Sequence, residues 1–200
     1  MGKSSSGKDT IYKRLLEKYK NVLKPVVTYT TRPQRTGEQN GLDYHFTDEQ
    51  GYLKIKGSGK LVEERSYDTV HGLWRYFTAE DPVLAEVKND QSFLMVGTLE
   101  SFNSMKRYFG QETVIPLFIE LDDGERLFRA LCRERGQSSP RYEEMCRRFL
   151  ADAKDFSEEN IRLAGVEKRF VNEDLENCIR ECSMEIERYI GTDGYKGQSD

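Results

Sequence analysis

Ile11, Leu15, Leu16 and Tyr19 recur at the three-to-four-residue interval that puts apolar side chains on one helix face, which predicts an amphipathic helix over residues 8–20. The pattern then changes. Residues 26–31 are rich in β-branched side chains, and from there to about residue 80 Gly, Thr, Tyr and Asp cut the apolar positions into short alternating runs. An inserted small β subdomain without long helices is expected there. Beyond it the two periods take turns: strand 93–96, helix 99–108, strand 113–121, helix 122–135 entered through acidic caps, helix 141–156, strand 168–171 and helix 173–190. Parallel strands need a crossover, and a helix supplies one, so this alternation predicts a parallel α/β sheet flanked by helices. The tail, 191–200, holds Gly, Ser and Asp and is expected to fray. No repeat and no low-complexity linker divides the chain.

Composition narrows the picture. The 200 residues suffice for one domain or one core with inserts. A net charge of -4 argues against a protein devoted to coating nucleic acid. No run approaches the ~20 apolar residues of a membrane span, and no leader precedes a cleavage site, so a cytoplasmic chain with no membrane partner is expected. Cys132, Cys146, Cys178 and Cys182 lack paired zinc-ligand spacing, and His45 and His71 stand far apart. Cys178 and Cys182 fall on one helix face as reduced, partly buried thiols.

Chemistry enters at the first residues. Gly2, Lys3, Ser4, Ser5, Ser6, Gly7, Lys8, Asp9 and Thr10 carry the GxxxxGK spacing of a phosphate-binding loop, directly ahead of the first expected helix. Small residues let successive backbone N–H groups curl around an anion, the helix aims its positive end at the same point, and Lys8 reaches the outer phosphates of a nucleoside triphosphate. Asp9 stands where the strict pattern has Ser or Thr, so the hydroxyl facing magnesium is expected from Thr10. Only Met1 precedes the loop, whereas such loops hang from a buried strand. Met1 is therefore expected to be an internal methionine of a longer chain, or a misassigned start.

A second anion site is more diagnostic. Thr30-Thr31-Arg32-Pro33-Gln34-Arg35, then Gly37-Glu38, Gly41 and Asp43-Tyr44, sets two arginines beside threonines with a tyrosine to close the clamp on one phosphate. Together with the phosphate loop this segment resembles the guanylate kinase family over nearly the whole chain. The resemblance implies a P-loop NTPase-type parallel sheet with an inserted β-rich nucleoside-monophosphate-binding subdomain and a helical lid. The corresponding division is core 1–27, 81–125 and 157–190, insert about 28–80, lid about 126–156 and tail 191–200.

The same resemblance implies ATP and GMP as substrates, Mg2+ as cofactor, and a monomer or weak dimer. It assigns Arg32, Arg35, Tyr44 and Tyr76 to the GMP phosphate and Thr28, Glu63 and Thr78 to the base, with Glu63 accepting from guanine N1 and N2. Lys8, Arg32, Arg133, Arg135 and Arg148 would carry catalysis by neutralising charge. Arg135 and Asn172, in Val171-Asn172-Glu173-Asp174, would stand beside ATP. Between Gly136 and Arg148 the chain is about two residues longer than familiar members. Arg129 and Arg147 are expected on the solvated surface and Trp74 in the core.

One departure touches the base. Met95 and Gly97 occupy places where familiar members have aspartates, so Glu100, Asp9 or the substrate phosphates compensate, or activity and selectivity are altered. A kinase for another (deoxy)nucleoside monophosphate, and a catalytically silent binding module of the same fold, remain open on these residues.

Overall fold

The structure, a computed structural model, describes residues 1–35, 37–69, 72–80, 84–85 and 91–190; the expectations for His71 and the tail 191–200 lie outside these. The chain divides into two units, one formed by Met1–Lys20, Val96–Phe102 and everything from Ile115 onward, the other by Asn21–Met95 and Asn103–Val114.

In the first unit, helix α1 (Lys8–Lys18) buries Ile11 and Leu15, two of the four residues whose spacing announced it. Strand β7 (Phe118–Glu120) pairs in parallel with β8 (Arg169–Val171), Ile119 opposite Phe170. On the other side of β7 the Met1 amine donates to the Leu117 carbonyl at 2.7 Å, and the Ile119 amide donates to the Met1 carbonyl at 2.8 Å. That is the bonding of a parallel ladder, so Met1 occupies a strand position beside β7. The expected strand 113–121 shortens to three residues, in keeping with Pro116, which cannot donate to a ladder.

Helices α4 (Asp123–Arg135), α5 (Tyr142–Asp155), α6 (Glu158–Leu163) and α7 (Leu175–Glu187) complete this unit. The acidic cap read from the sequence is there: Asp122 accepts from the Glu125 amide at 3.0 Å. Asp174 caps α7 by accepting from the Asn177 amide at 2.7 Å. The core gathers Tyr19, Phe118, Ile119, Phe156, Ile161 and Phe170 with Cys178 and Cys182, both fully buried.

The second unit carries a four-stranded sheet in the order β3 (His45–Phe46), β2 (Tyr29–Thr30), β5 (Gly72–Ala79) and β4 (Leu61–Thr69), plus a parallel pair of β1 (Leu23–Pro25) and β6 (Ser92–Leu94). The expected strand 26–31 is thus divided: the Val26 amide donates to Leu94, extending the β1 pairing, and only Tyr29–Thr30 joins the larger sheet. A nine-residue helix, α2 (Glu49–Gly57), stands where the sequence suggested only short strands. Gly51 and Gly57 disguised it as a turn, yet a Cβ on Gly51 would lie 2.1 Å from the Thr47 hydroxyl, so this glycine serves close packing behind the Asp48 cap. Trp74 lies on β5 opposite Tyr67, half-buried and outside the core. Helix α3 (Leu99–Phe109) runs from the first unit into the second. Among the described residues, no helix is long and apolar enough to cross a membrane.

Candidate functional site

The phosphate loop is shaped by backbone conformations that side chains tolerate poorly. Ser5 (φ 62°) and Gly7 (φ 87°) both lie in the left-handed region, which turns neighbouring N–H groups toward one centre. The amides of Ser5, Gly7, Lys8 and Asp9 have no acceptor among the described residues, and no side chain caps α1. The hydroxyls of Ser5 and Ser6 are buried without partners. Unmet buried polar groups are costly, and a bound anion at a helix N-terminus satisfies them together.

What fixes the loop comes from far along the chain. Asn172, 3 % exposed, donates its Nδ2 to the Ser6 carbonyl at 2.7 Å, while its own amide donates to the Glu120 carbonyl at 2.9 Å. A Cβ on Gly7 would sit 2.2 Å from that Nδ2, so residue 7 must be glycine on space as well as on φ. Asn172 therefore braces the loop with the side-chain amide that was expected beside ATP.

Arg126, 1 % exposed, donates its Nε to the Ser4 carbonyl at 2.9 Å and its Nη2 to Asp152 at 3.1 Å, with Nη1 on Asp123. Asp152 in turn accepts from the Ser4 amide at 2.7 Å. Ser4 is thus gripped through both its N–H and its C=O by residues of α4 and α5, with Phe149 against the Arg126 guanidinium. Lys3 is tied to Asp123 at 3.1 Å, so only its backbone serves the loop.

The Lys8 side chain is held by no short ion pair among the described residues. Its Nζ lies 3.8 Å from the exposed Asp9 carboxylate, a loose contact. Thr10 is exposed one residue further along. A hard divalent cation takes oxygen ligands, and the Thr10 hydroxyl with the Asp9 carboxylate at the mouth of the loop is a donor set that fits Mg2+.

The arginines of α4 and α5 separate into two groups. Arg147 pairs with Glu144 at 2.7 Å, an exposed surface bridge as expected, whereas Arg129, paired with Glu125 at 2.9 Å, is only partly exposed and holds its Nη1 3.9 Å from where a Cβ on Gly7 would stand. Arg133, Arg135 and Arg148 are exposed and make no hydrogen bond or ion pair through their side chains among the described residues.

The second unit holds the other anion site. Thr30 and Thr31 do not line it; they shape it. The Thr30 hydroxyl bonds the Arg75 carbonyl at 2.9 Å and accepts from the Arg32 amide at 3.3 Å, and the Arg75 amide donates to the Thr31 hydroxyl at 2.9 Å. These bonds turn Arg32 inward, to 3 % exposure. Its Nη1 donates to Glu38 at 2.7 Å and to the Pro33 carbonyl at 2.9 Å, and its Nη2 donates to the other Glu38 oxygen at 2.5 Å. Glu38 also accepts from the Arg35 amide at 2.9 Å.

The Nε–H and one Nη2–H of Arg32 stay uncommitted to Glu38 or the backbone, a side-on fork suited to a phosphate. The guanidinium lies 4.9 Å from the Tyr44 ring, and Tyr44 and Tyr76 meet edge-on at 5.8 Å. Bonding to Arg32 pulls Glu38 down to about 2, and Glu38 in turn raises Arg32. Burial raises Tyr44. The Arg35 guanidinium is exposed and joins none of this.

On the same sheet face, Glu63 lies opposite Thr78 across the β4–β5 ladder and is buried, and the Thr78 hydroxyl donates to its Oε1 at 2.9 Å. Thr28 lies one step before the paired stretch of β2, where continuing the register sets it opposite Thr78. Met95 and Gly97 follow β6, and Glu100 is exposed in the first turn of α3. The structure brings Arg32 beside Tyr44 and Tyr76, and Glu63 beside Thr78, on one face of the sheet. Sequence reasoning named these five. It gave no function to Glu38, Arg65, Arg126 or Asp152. Glu38 had a signal, the Gly-Glu pair six residues after Arg32; the other three had none.

Known proteins resemble this chain. The guanylate kinase family model matches residues 1–72. Guanylate kinase of Anaplasma phagocytophilum is 30% identical over 196 residues, covering 94% of this chain and 87% of that protein. The Porphyromonas gingivalis guanylate kinase is 28% identical over 188 residues, 94% of each chain. The crystal structure of guanylate kinase from Anaplasma phagocytophilum superposes with a TM-score of 0.66 over 98% of this chain and 88% of that one, at 22% identity, which speaks for the fold. With a relative at this identity along nearly its full length, and with the P-loop NTPase-type α/β fold to match, the chain belongs to the guanylate kinase family.

Proposed function

We propose that the chain transfers the γ-phosphoryl group of ATP to GMP, giving ADP and GDP. The observation that carries this reading is the single sheet face on which a buried carboxylate, Glu63 with Thr78, and an anion clamp, Arg32 with Tyr44 and Tyr76, are placed together. A carboxylate accepts from guanine N1–H and the 2-amino group, which adenine does not offer in that pattern, and the clamp takes a 5′-phosphate. An acceptor left unpaired by the wrong base costs about 1–3 kcal/mol.

The phosphate oxygen of GMP is already a nucleophile, so no general base is needed. The protein's task is to align two anions and neutralise the charge that builds between them. In this reading the open amides of Ser5, Gly7, Lys8 and Asp9 hold the ATP phosphates, and Lys8 follows the outer ones. Arg32 presents its side-on fork to GMP while Glu38 holds its other edge. Arg133, Arg135 and Arg148, on the segment 126–156, turn onto the transferring group as a lid and exclude water. Thr10 and Asp9 would hold Mg2+, which supplies further neutralisation of the ATP phosphates when bound. Asn172 keeps the loop in shape and acts on ATP through it.

Another monophosphate as acceptor is favoured by one fact, the Met95 and Gly97 pair, which offers the base no carboxylate. The test is ADP release with GMP, dGMP, AMP and CMP. GMP should exceed AMP by about tenfold or more in kcat/KM, in line with the cost of an unpaired acceptor. Equal or greater turnover with AMP or CMP would transfer the proposal to that nucleotide.

A further inference from the structure

The acceptor face carries a second arginine that the assignments above leave unused. Arg65 follows Glu63 by one same-face position on β4 and lies opposite Tyr76 across the ladder, between the base end and the phosphate end of the site. Its Nε donates to Glu63 Oε2 at 3.1 Å and its Nη2 to Oε1 at 3.4 Å. The pair is secluded, with side-chain exposures of 12% for Arg65 and 1% for Glu63. Arg65 therefore meets the carboxylate side-on, through two N–H groups borne on one N–C–N unit.

That is the chemistry of the ligand. The edge of guanine that distinguishes it from adenine is also an N–C–N unit with two parallel N–H groups, N1–H and the 2-amino N–H. A carboxylate offers one two-pronged edge to such a fork. Thr78 already occupies one Oε1 position with its hydroxyl, so the side-on edge is the place the base requires. Arg65 and guanine cannot both have it.

We infer that Arg65 is a built-in stand-in for guanine, which fills the Glu63 edge in the unliganded protein and must yield it to the base, and so sets the affinity and discrimination of the acceptor site. This inference rests on GMP being the acceptor. Arg65 supplies the counter-charge of the buried carboxylate, which offsets the cost of burying it. The exchange replaces a charge-assisted bond with bonds to a neutral base, so the stand-in weakens GMP binding. AMP, whose N1 is an acceptor, gains nothing from the vacated edge.

The experiment is calorimetric titration of GMP and AMP into the full chain and into R65M and R65K. R65M should bind GMP about tenfold more tightly, a change comparable to one charge-assisted hydrogen bond. Its affinity for AMP should stay within about twofold, so discrimination rises. R65K keeps the charge but cannot make the fork, and should fall between wild type and R65M. Titration with ATP reports whether each variant is folded; if R65M has lost ATP binding, R65K decides. In the wild-type protein, the Arg65 Nε–H resonance should shift on addition of GMP and not of AMP.

Weaker GMP binding in R65M or R65K would make Arg65 a direct ligand contact and overturn the inference, as would unchanged GMP affinity. A failure of the functional reading looks different, since there the wild-type protein would turn over another monophosphate in preference to GMP.

Discussion

The two anion sites are prepared for their ligands in opposite ways. In the phosphate loop the donors are backbone amides aimed by left-handed residues and braced from behind by Asn172, Arg126 and Asp152, and they are left unmet. On the acceptor face the donors and acceptors are side chains: Arg65 pairs with Glu63, and Glu38 holds the outer edge of Arg32 while leaving its Nε edge open. Backbone groups cannot swing away, so their geometry survives without a ligand. Long side chains can, and buried charge demands a partner meanwhile. One site waits and the other exchanges.

The largest expected effects break the waiting site. K8M should lower kcat by about a hundredfold to a thousandfold, the loss of one preorganised donor to transition-state charge, with the melting temperature unchanged. R126M removes a buried guanidinium from the partly buried Asp152 and from the Ser4 carbonyl, and should cost about 3 kcal/mol in urea unfolding, whereas removing both charges together should recover part of that loss.

Next come tests of the exchanging site. E38Q should raise the KM for GMP about tenfold with kcat nearly kept, because Arg32 loses a charged hold on its outer edge, whereas E38D should restore part of the affinity. The pH dependence has a definite sign. Glu38 titrates at about 2 in the folded chain, below the ordinary carboxylate value of 4.5. Its contribution to stability is therefore complete above pH ~4.5 and is lost as pH falls toward 2. The difference in melting temperature between wild type and E38Q should shrink across that window. The smallest effect is assigned to R147A, which removes an exposed pair and should change stability by less than about 0.5 kcal/mol and leave kcat/KM unaltered.

The elements legible in the sequence were those written in local chemistry. The Asp122 cap announced α4, the apolar spacing of Ile11 and Leu15 announced α1, and the Thr-Thr-Arg run located the buried guanidinium. Helix α2 was lost because Gly51 and Gly57 carry the same letters whether they turn a chain or permit close packing. The bracing of the loop could not be read at all. Asn172 and Ser6 are 166 residues apart, and Arg126 and Asp152 look like any charge on a polar helix until burial picks them out. Arg65 was hidden in the same way, as one more arginine in a chain with 31 basic residues.

The central claim, that separate fixed cations and amides hold a donor and an acceptor nucleotide, is tested most directly by a crystal structure with GMP and a non-hydrolysable ATP analogue. Lys8 should lie against the outer phosphates, the Nε and Nη2 edge of Arg32 on the GMP phosphate with Glu38 still on its other edge, and Arg65 off Glu63. Lys8 turned away from every phosphorus, or Arg32 without a phosphate contact in an occupied site, would contradict it.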